Sequence, residues 1–182
     1  VDLSGASSWA LETVTDFYLA GLLPAAQCAA MQAPITRGEL AELIYPMVTA
    51  APRSALRQLG FSFDDTDEAE NGDVLEYLAS IGLVNGFGDG SLQPDAAVTR
   101  EQMAKILCRL ATMYGADMEL DAPERAFADR ADIAQWAEGF CDRAYAAGLM
   151  QGVGGGKFAP KQPLTREQAI CTLWRLTQQN AG

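Results

Sequence analysis

One stretch of seventeen residues occurs twice in this chain and restricts its fold more than any other feature. Residues 86–102 read GFGDGSLQPDAAVTREQ and residues 152–168 read GVGGGKFAPKQPLTREQ, 66 positions apart. Three glycines, a proline and the closing TREQ stand in register. Self-similarity of this kind marks a repeat architecture, in which each unit is one small element that buries its apolar face against its neighbours.

The match extends in both directions. Upstream, Gly21-Leu22, Gly82-Leu83 and Gly148-Leu149 each follow a helical pattern, as a left-handed helix cap with its apolar contact would. Twelve residues before each glycine stand Trp9, Glu70 and Trp136, and Phe63-Asp64-Asp65 and Phe127-Ala128-Asp129 share an F-x-D pattern further upstream. Downstream, Thr36-Arg37-Gly38-Glu39, Thr99-Arg100-Glu101-Gln102 and Thr165-Arg166-Glu167-Gln168 open three equivalent segments. Apolar residues follow each arginine at 3, 7 and 10 positions: Leu40, Ile44, Met47; Met103, Leu107, Leu110; Ala169, Leu173, Leu176. That spacing is one face of an amphipathic helix.

Each copy therefore reads as helix, glycine cap, loop, helix, and three copies fill residues 1–60, 61–121 and 122–182. The first is divergent. Its glycine-to-arginine interval is sixteen residues against eighteen in the others, and its loop LLPAAQCAAMQAP lacks the three glycines. Pro46, where the others have Arg109 and Arg175, is expected to end or kink its second helix.

The threonine with Glu39, Gln102 or Gln168 three residues on is a capping box. Helix initiation explains those residues without a ligand. The arginine is not so explained, because a cation at the first helical position opposes the macrodipole by ~0.3–1 kcal/mol when exposed. Glu101 and Glu167 offset it in two copies, and Gly38 does not. Free helix N–H groups with a forked guanidinium would receive a carboxylate or phosphate. The alternative is an ion pair to an acidic residue of a neighbouring copy.

The glycine loops are not nucleotide cradles. Lys157 is followed by Phe158 rather than Ser or Thr, and no strand pattern precedes either loop. Turns that need positive φ account for them, or the close approach of a sugar to bare backbone at Gly86 and Gly152. Trp9 and Trp136 are either core or groove-edge rings suited to stacking on a pyranose.

Composition removes whole classes of function. With 49% apolar and 20% charged residues the chain is globular, and a net charge of −11 argues against nucleic acid and anionic lipid as partners. No apolar run is long enough to span a membrane. There is no histidine, and Cys28, Cys108, Cys141 and Cys171 form no C-x-x-C pair, so neither a zinc site nor a Ser-His-Asp arrangement is available. Cys108, Cys141 and Cys171 fall in apolar helical patterns as small buried hydrophobes. DDTDEAENGD lacks the alternating acids of a calcium loop. Asp64, Asp65, Asp67, Asp129 and Asp132 give no recurring carboxylate pair for glycoside hydrolysis. No cofactor, no metal and no catalysis are expected. A start at Val1 rather than Met fits a mature form or an excised part of a longer protein.

Taken together, F-x-D, W, G-[IL], G-x-G-x-G-x-[FL]-x-P and [ILV]-T-R-[AEG]-[EQ] resemble the S-layer homology domain, over nearly the whole chain. Copy one keeps SSWA and ITRGE but not the central loop. The resemblance implies an all-α fold, a pseudo-threefold set of helix-loop-helix repeats around a central three-helix bundle with grooves between them. It implies a non-catalytic anchor that binds secondary cell-wall polysaccharide, often pyruvylated, at the outer surface of a bacterium. Carried over by position, Arg37, Arg100 and Arg166 would contact the anion, Trp9 and Trp136 would line grooves, and Glu70 would leave a groove that relies on that position either weak or specialised. The alternative is a scaffold for other surface or S-layer proteins.

Overall fold

The computed structural model describes residues 2–3, 5–49, 63–116, 118 and 126–179, so the repeat boundaries expected at 60/61 and 121/122 lie outside the described residues. Within them the fold is all-α. Its helices are α1 (Leu11–Leu19), α2 (Arg37–Val48), α3 (Gly72–Ser80), α4 (Arg100–Met113), α5 (Glu138–Ala146) and α6 (Arg166–Gln179). Short 3₁₀ turns lie at Ala25–Gln27, Arg130–Asp132 and Gln135–Ala137. Extended backbone is confined, among the described residues, to isolated bridges: Pro34 with Thr165, Thr36 with Ala97, and Thr99 with Pro163.

Contacts divide the chain into two compact units, residues 1–97 with 165–170 and residues 98–164 with 171–182. In the first, α2 packs on α3; in the second, α4 packs on α5. The expected helix stripe is buried: Leu40, Ile44, Met103, Leu107, Leu110, Ala169, Leu173 and Leu176 are all within 2% of full burial. Met47 departs from it and is half-buried. It follows Pro46, which does not end α2 at once: the helix continues to Val48 and closes with Thr49 N–H on the Tyr45 carbonyl. Proline removes one N–H and is tolerable here because only the last turn must do without it. The helix is 12 residues long, against 14 for α4 and α6.

Helix ends follow the local code. Thr36 with Glu39 and Thr99 with Gln102 form complete capping boxes, and Thr165 with Gln168 exchanges the same two bonds. Gly21, Gly82 and Gly148 stop α1, α3 and α5 at φ of 74°, 76° and 70°. Past α3, Gly82 N–H donates to Ala79 and Leu83 N–H to Leu78, which satisfies the last carbonyls and buries Leu83. All four cysteines are free thiols in buried positions. Burial pushes the Cys108 thiol up to about 11 and the Cys141 thiol to about 12, so both stay protonated and act as small apolar residues.

Replacing Thr99 with Ala is expected to cost about 1 kcal/mol, the usual worth of an N-cap side chain. For a chain of this size that lowers Tm by about 2–4 °C. Calorimetry checks it, with Thr99→Ser expected to restore most of the loss.

Candidate functional site

The three T-R segments do more than start helices. In α2 the first two N–H groups, of Arg37 and Gly38, donate to Ala96 and Pro94 carbonyls at 2.9 Å each. In α4, Arg100 and Glu101 donate to Gln162 and Pro160 at 3.0 Å each. In α6, Arg166 and Glu167 donate to Ala33 and Met31 at 3.0 Å each. The third N–H in every case goes to the capping threonine. The expectation that these groups stand free for an anion is therefore corrected. A carbonyl loop of another copy already occupies each positive helix end, which is the same dipole chemistry turned inward.

The arginine side chains continue the pattern. Arg37 is 7% exposed; its Nε donates to the Leu92 carbonyl at 2.6 Å and its Nη2 to Asn85 at 2.8 Å, with the guanidinium 5.1 Å above the Phe87 ring. Arg100, also 7% exposed, donates through Nε to Phe158 at 2.7 Å and through Nη2 to Gln151, 5.0 Å above the Phe158 ring. Arg166 differs. Its Nη1 donates to Ala30 at 3.1 Å and its Nη2 pairs with the Glu39 carboxylate. An ion pair to a neighbouring copy thus holds for Arg166, whereas Arg37 and Arg100 cap backbone carbonyls. Burial pulls both of these guanidinium groups down from the ordinary arginine value, with Asp65 and Asp129 respectively acting in the opposite direction. They remain charged all the same.

The F-x-D aspartates clamp the same loops from the other side. Asp65 accepts from Leu92 N–H at 2.8 Å and Gln93 N–H at 2.7 Å. Asp129 accepts from Phe158 N–H at 2.9 Å and Ala159 N–H at 2.7 Å. Gln93 and Ala159 sit at φ of 51° and 56°, and Ala30 in copy one at 52°, each seven residues before its arginine. A side chain in that region costs ~1–2 kcal/mol, so the turn must be held by its surroundings. Sequence reasoning found the F-x-D repeat but not its partners; the constant third position was the available signal.

Glu101 and Glu167, read from sequence as charge offsets, also reach out. Glu101 accepts from Ala134 N–H at 3.0 Å and pairs with Lys161, and Glu167 accepts from Ser7 N–H and Oγ at 2.8 and 2.7 Å. Gly38, the equivalent in copy one, has no side chain to do so, and a Cβ there would stand 3.1 Å from that of Asn71. Gly86 and Gly152 are exposed, and a Cβ on Gly152 would meet the Lys157 carbonyl at 2.8 Å. Loop closure is thus sufficient reason for that glycine.

Both candidate tryptophans lie outside the core, Trp9 at 56% and Trp136 at 47% exposure. Trp136 is braced by Lys105, whose Nζ lies 5.1 Å from its ring centre and 5.9 Å from that of Phe140. In the same unit Asp129, Asp132, Lys157, Ala159, Pro160 and Lys161 line a cavity of about 370 Å³. Another of about 370 Å³ lies in the first unit beside the start of α2. No group of metal-ligating side chains occurs among the described residues.

Residues 62–104 and 126–170 match the S-layer homology domain. Over these two segments the chain belongs to the S-layer homology family. Its relatives include a cell surface protein of Thermoanaerobacter kivui, 35% identical over 62% of this chain and 15% of that protein. An endoglucanase of Bacillus sp. (strain KSM-635) is 33% identical over 56% of this chain and 11% of its own length. A cellulosome-anchoring protein of Acetivibrio thermocellus is 22% identical over 78% of this chain and 31% of its own. The S-layer homology chain thus spans from about a tenth to a third of these relatives, and its likeness to the enzyme is confined to a small part of it.

Two predictions follow from the clasp. Arg100→Ala leaves two carbonyls without their charged donor and is expected to cost about 2–4 kcal/mol, seen as a lowered urea midpoint; Arg100→Lys rescues little, since one ammonium does not reproduce the fork. Desolvation raises the Asp129 pKa, but the backbone N–H groups of Phe158, Ala159 and Asp129 itself, together with the charge of Lys157, hold it below the ordinary carboxylate value. Its contribution is present above that ordinary value and is lost as pH falls through the lower folded one. Asp129→Asn should therefore flatten the acid side of the stability curve, measured by denaturation between about pH 2 and 5.

Proposed function

We propose that this chain is a non-catalytic module that anchors a protein to the bacterial cell wall by binding a wall polysaccharide outside the cell. The observation that carries this reading is Trp136: a large ring left about half exposed, braced by Lys105, in the unit that holds the cavity lined by Lys157 and Lys161. A flat apolar face with the Lys105 ammonium beside it suits a sugar ring that bears an acid, such as a pyruvyl ketal. Trp9 supplies a second such face. Membership of the S-layer homology family supports the anchoring role, as do relatives named as cell-surface and cellulosome-anchoring proteins.

In this reading Arg37 and Arg100 act on the glycan through the loops they hold. Arg166, with its side chain 17% exposed and paired with Glu39, is the arginine this reading assigns to the ligand itself. Gly86 and Gly152 keep the loop backbone open to a sugar. No helix among the described residues is long and apolar enough to cross a membrane. In this reading the partners are the wall polysaccharide and other surface proteins.

Co-sedimentation with purified bacterial sacculi tests the reading. The protein should pellet with untreated sacculi and stay in solution after hydrofluoric acid has stripped the polysaccharide. Trp136→Ala should weaken binding at least tenfold, at the scale of a lost aromatic contact, while Tm stays within a degree or so because the ring is exposed. Pelleting that survives acid stripping would overturn it, and a stable complex with a surface protein instead would point to the scaffold role.

A further inference from the structure

Of the three repeated arginines, Arg166 is the one that meets a carboxylate among the described residues, and its bonding is incomplete. Arg37 and Arg100 each donate through Nε and Nη2 to two loop carbonyls. Arg166 donates through Nη1 to the Ala30 carbonyl and through Nη2 to Glu39 Oε1, while its Nε is buried with no acceptor among the described residues. A buried N–H left idle is costly, and such groups are rare in folded chains.

The cause lies in Glu39. It closes the capping box of copy one, at the position held by Gln102 and Gln168 in the other copies. Its Oε2 accepts from Thr36 N–H at 3.0 Å, so Oε1 is what remains for the guanidinium. Arginine grips a carboxylate best through two parallel N–H···O bonds, and Glu39 supplies one. The pair is reachable from outside, with side chains 17% and 22% exposed. Glu39 and Thr36 also line the cavity of about 370 Å³ beside the start of α2. A carboxylate with both oxygens uncommitted therefore has the advantage over Glu39 for the same guanidinium.

We infer that Glu39 is an internal competitor for the acid group of the ligand at Arg166, and so sets the affinity of this site for anionic sugars. With Glu39 on Arg166 the site is closed to the acid. An arriving carboxylate takes Nη2, and Glu39 keeps its bond to Thr36 N–H, so the helix start survives the exchange. Arg37 and Arg100 are spent on carbonyls within the fold and undergo no such exchange. The inference rests on the anchoring role proposed above and names what regulates one contact in it.

The test is a calorimetric titration of the full 182-residue chain with the 4,6-pyruvyl ketal of methyl glucoside and with its methyl ester, which carries no charge. Glu39→Gln keeps the cap, as glutamine does in the other two copies. It is expected to tighten ketal binding about fivefold, the upper scale of an exposed ion pair, and to leave the ester where it was. Glu12→Gln, at an exposed acid of α1, should change neither affinity, which separates the effect from the net charge of −11. In an Arg166→Ala background ketal binding should weaken and the gain from Glu39→Gln should disappear. Where Arg166→Ala does not fold, Arg166→Lys serves, since one ammonium does not reproduce the fork. An unchanged or weaker ketal affinity in a folded Glu39→Gln chain would overturn the inference, as would an equal gain for the ester or in the arginine variant. Sacculus sedimentation reports on the anchoring role separately. A chain that pellets through its polysaccharide while Glu39→Gln alters nothing keeps the role and loses the competitor; one that neither pellets nor binds the ketal loses both.

Discussion

A buried guanidinium donating to loop carbonyls is the interaction on which the rest of this molecule depends. Arg37 holds the loop of copy two, Arg100 that of copy three and Arg166 that of copy one. The loops of copies two and three are rich in glycine, and all three loops carry a non-glycine residue at positive φ, so local preference does not fix them. A carboxylate on the N–H side and a guanidinium on the carbonyl side bracket Leu92 in one loop and Phe158 in another. The bracketed side chains are fully buried, so charge placed outside the core decides which apolar residue enters it. That is also why the chain tolerates arginine at a helix start. The loop carbonyls supply the negative partial charge that the macrodipole asks for.

Much of this was legible in the sequence. Periodicity gave the helices, the T-x-x-E/Q pattern gave their first residues and the glycines at 21, 82 and 148 gave the ends of α1, α3 and α5. These are local rules, set by backbone hydrogen bonds within a few residues, and they survive into the fold. What the sequence left open was direction. Arg37 reads the same whether it points to a ligand or to Leu92, because the partner lies 55 residues away and is a carbonyl, which every residue has. The same holds for Glu101 and Ala134. The tryptophans were undecided for another reason: amphipathic spacing at the margin of a short helix does not say whether a ring is inside or at the rim.

Pro46 and Gly38 show how a repeat diverges without losing its frame. Both fall in α2, and neither removes the bonds by which Arg37 and Gly38 N–H hold the loop of copy two. Pro46 sits where the helix is about to end. Gly38 changes only a side chain that would otherwise reach beyond its own loop, as Glu101 does to Ala134. The backbone clasp is conserved between copies because it is made of groups all residues share, and the second helical position is then free to vary.

That freedom bears on how the copies of one repeat come to differ in their surroundings. Where the second position is glutamate, its carboxylate is buried at 5% exposure for Glu101 and 4% for Glu167, and it is spent on backbone N–H groups. Where it is glycine, no such carboxylate enters, Asn71 approaches the helix closely, and the adjoining groove is walled by Glu42, Glu70 and Asp95. The other groove keeps lysines, one of them paired to the buried glutamate. The residue after the arginine therefore alters what fills the space beside the helix while the clasp stays as it is. The arginine and the residue after it thus play separate parts, one closing a loop through its guanidinium and the other, where it is glutamate, reaching a backbone N–H beyond that loop.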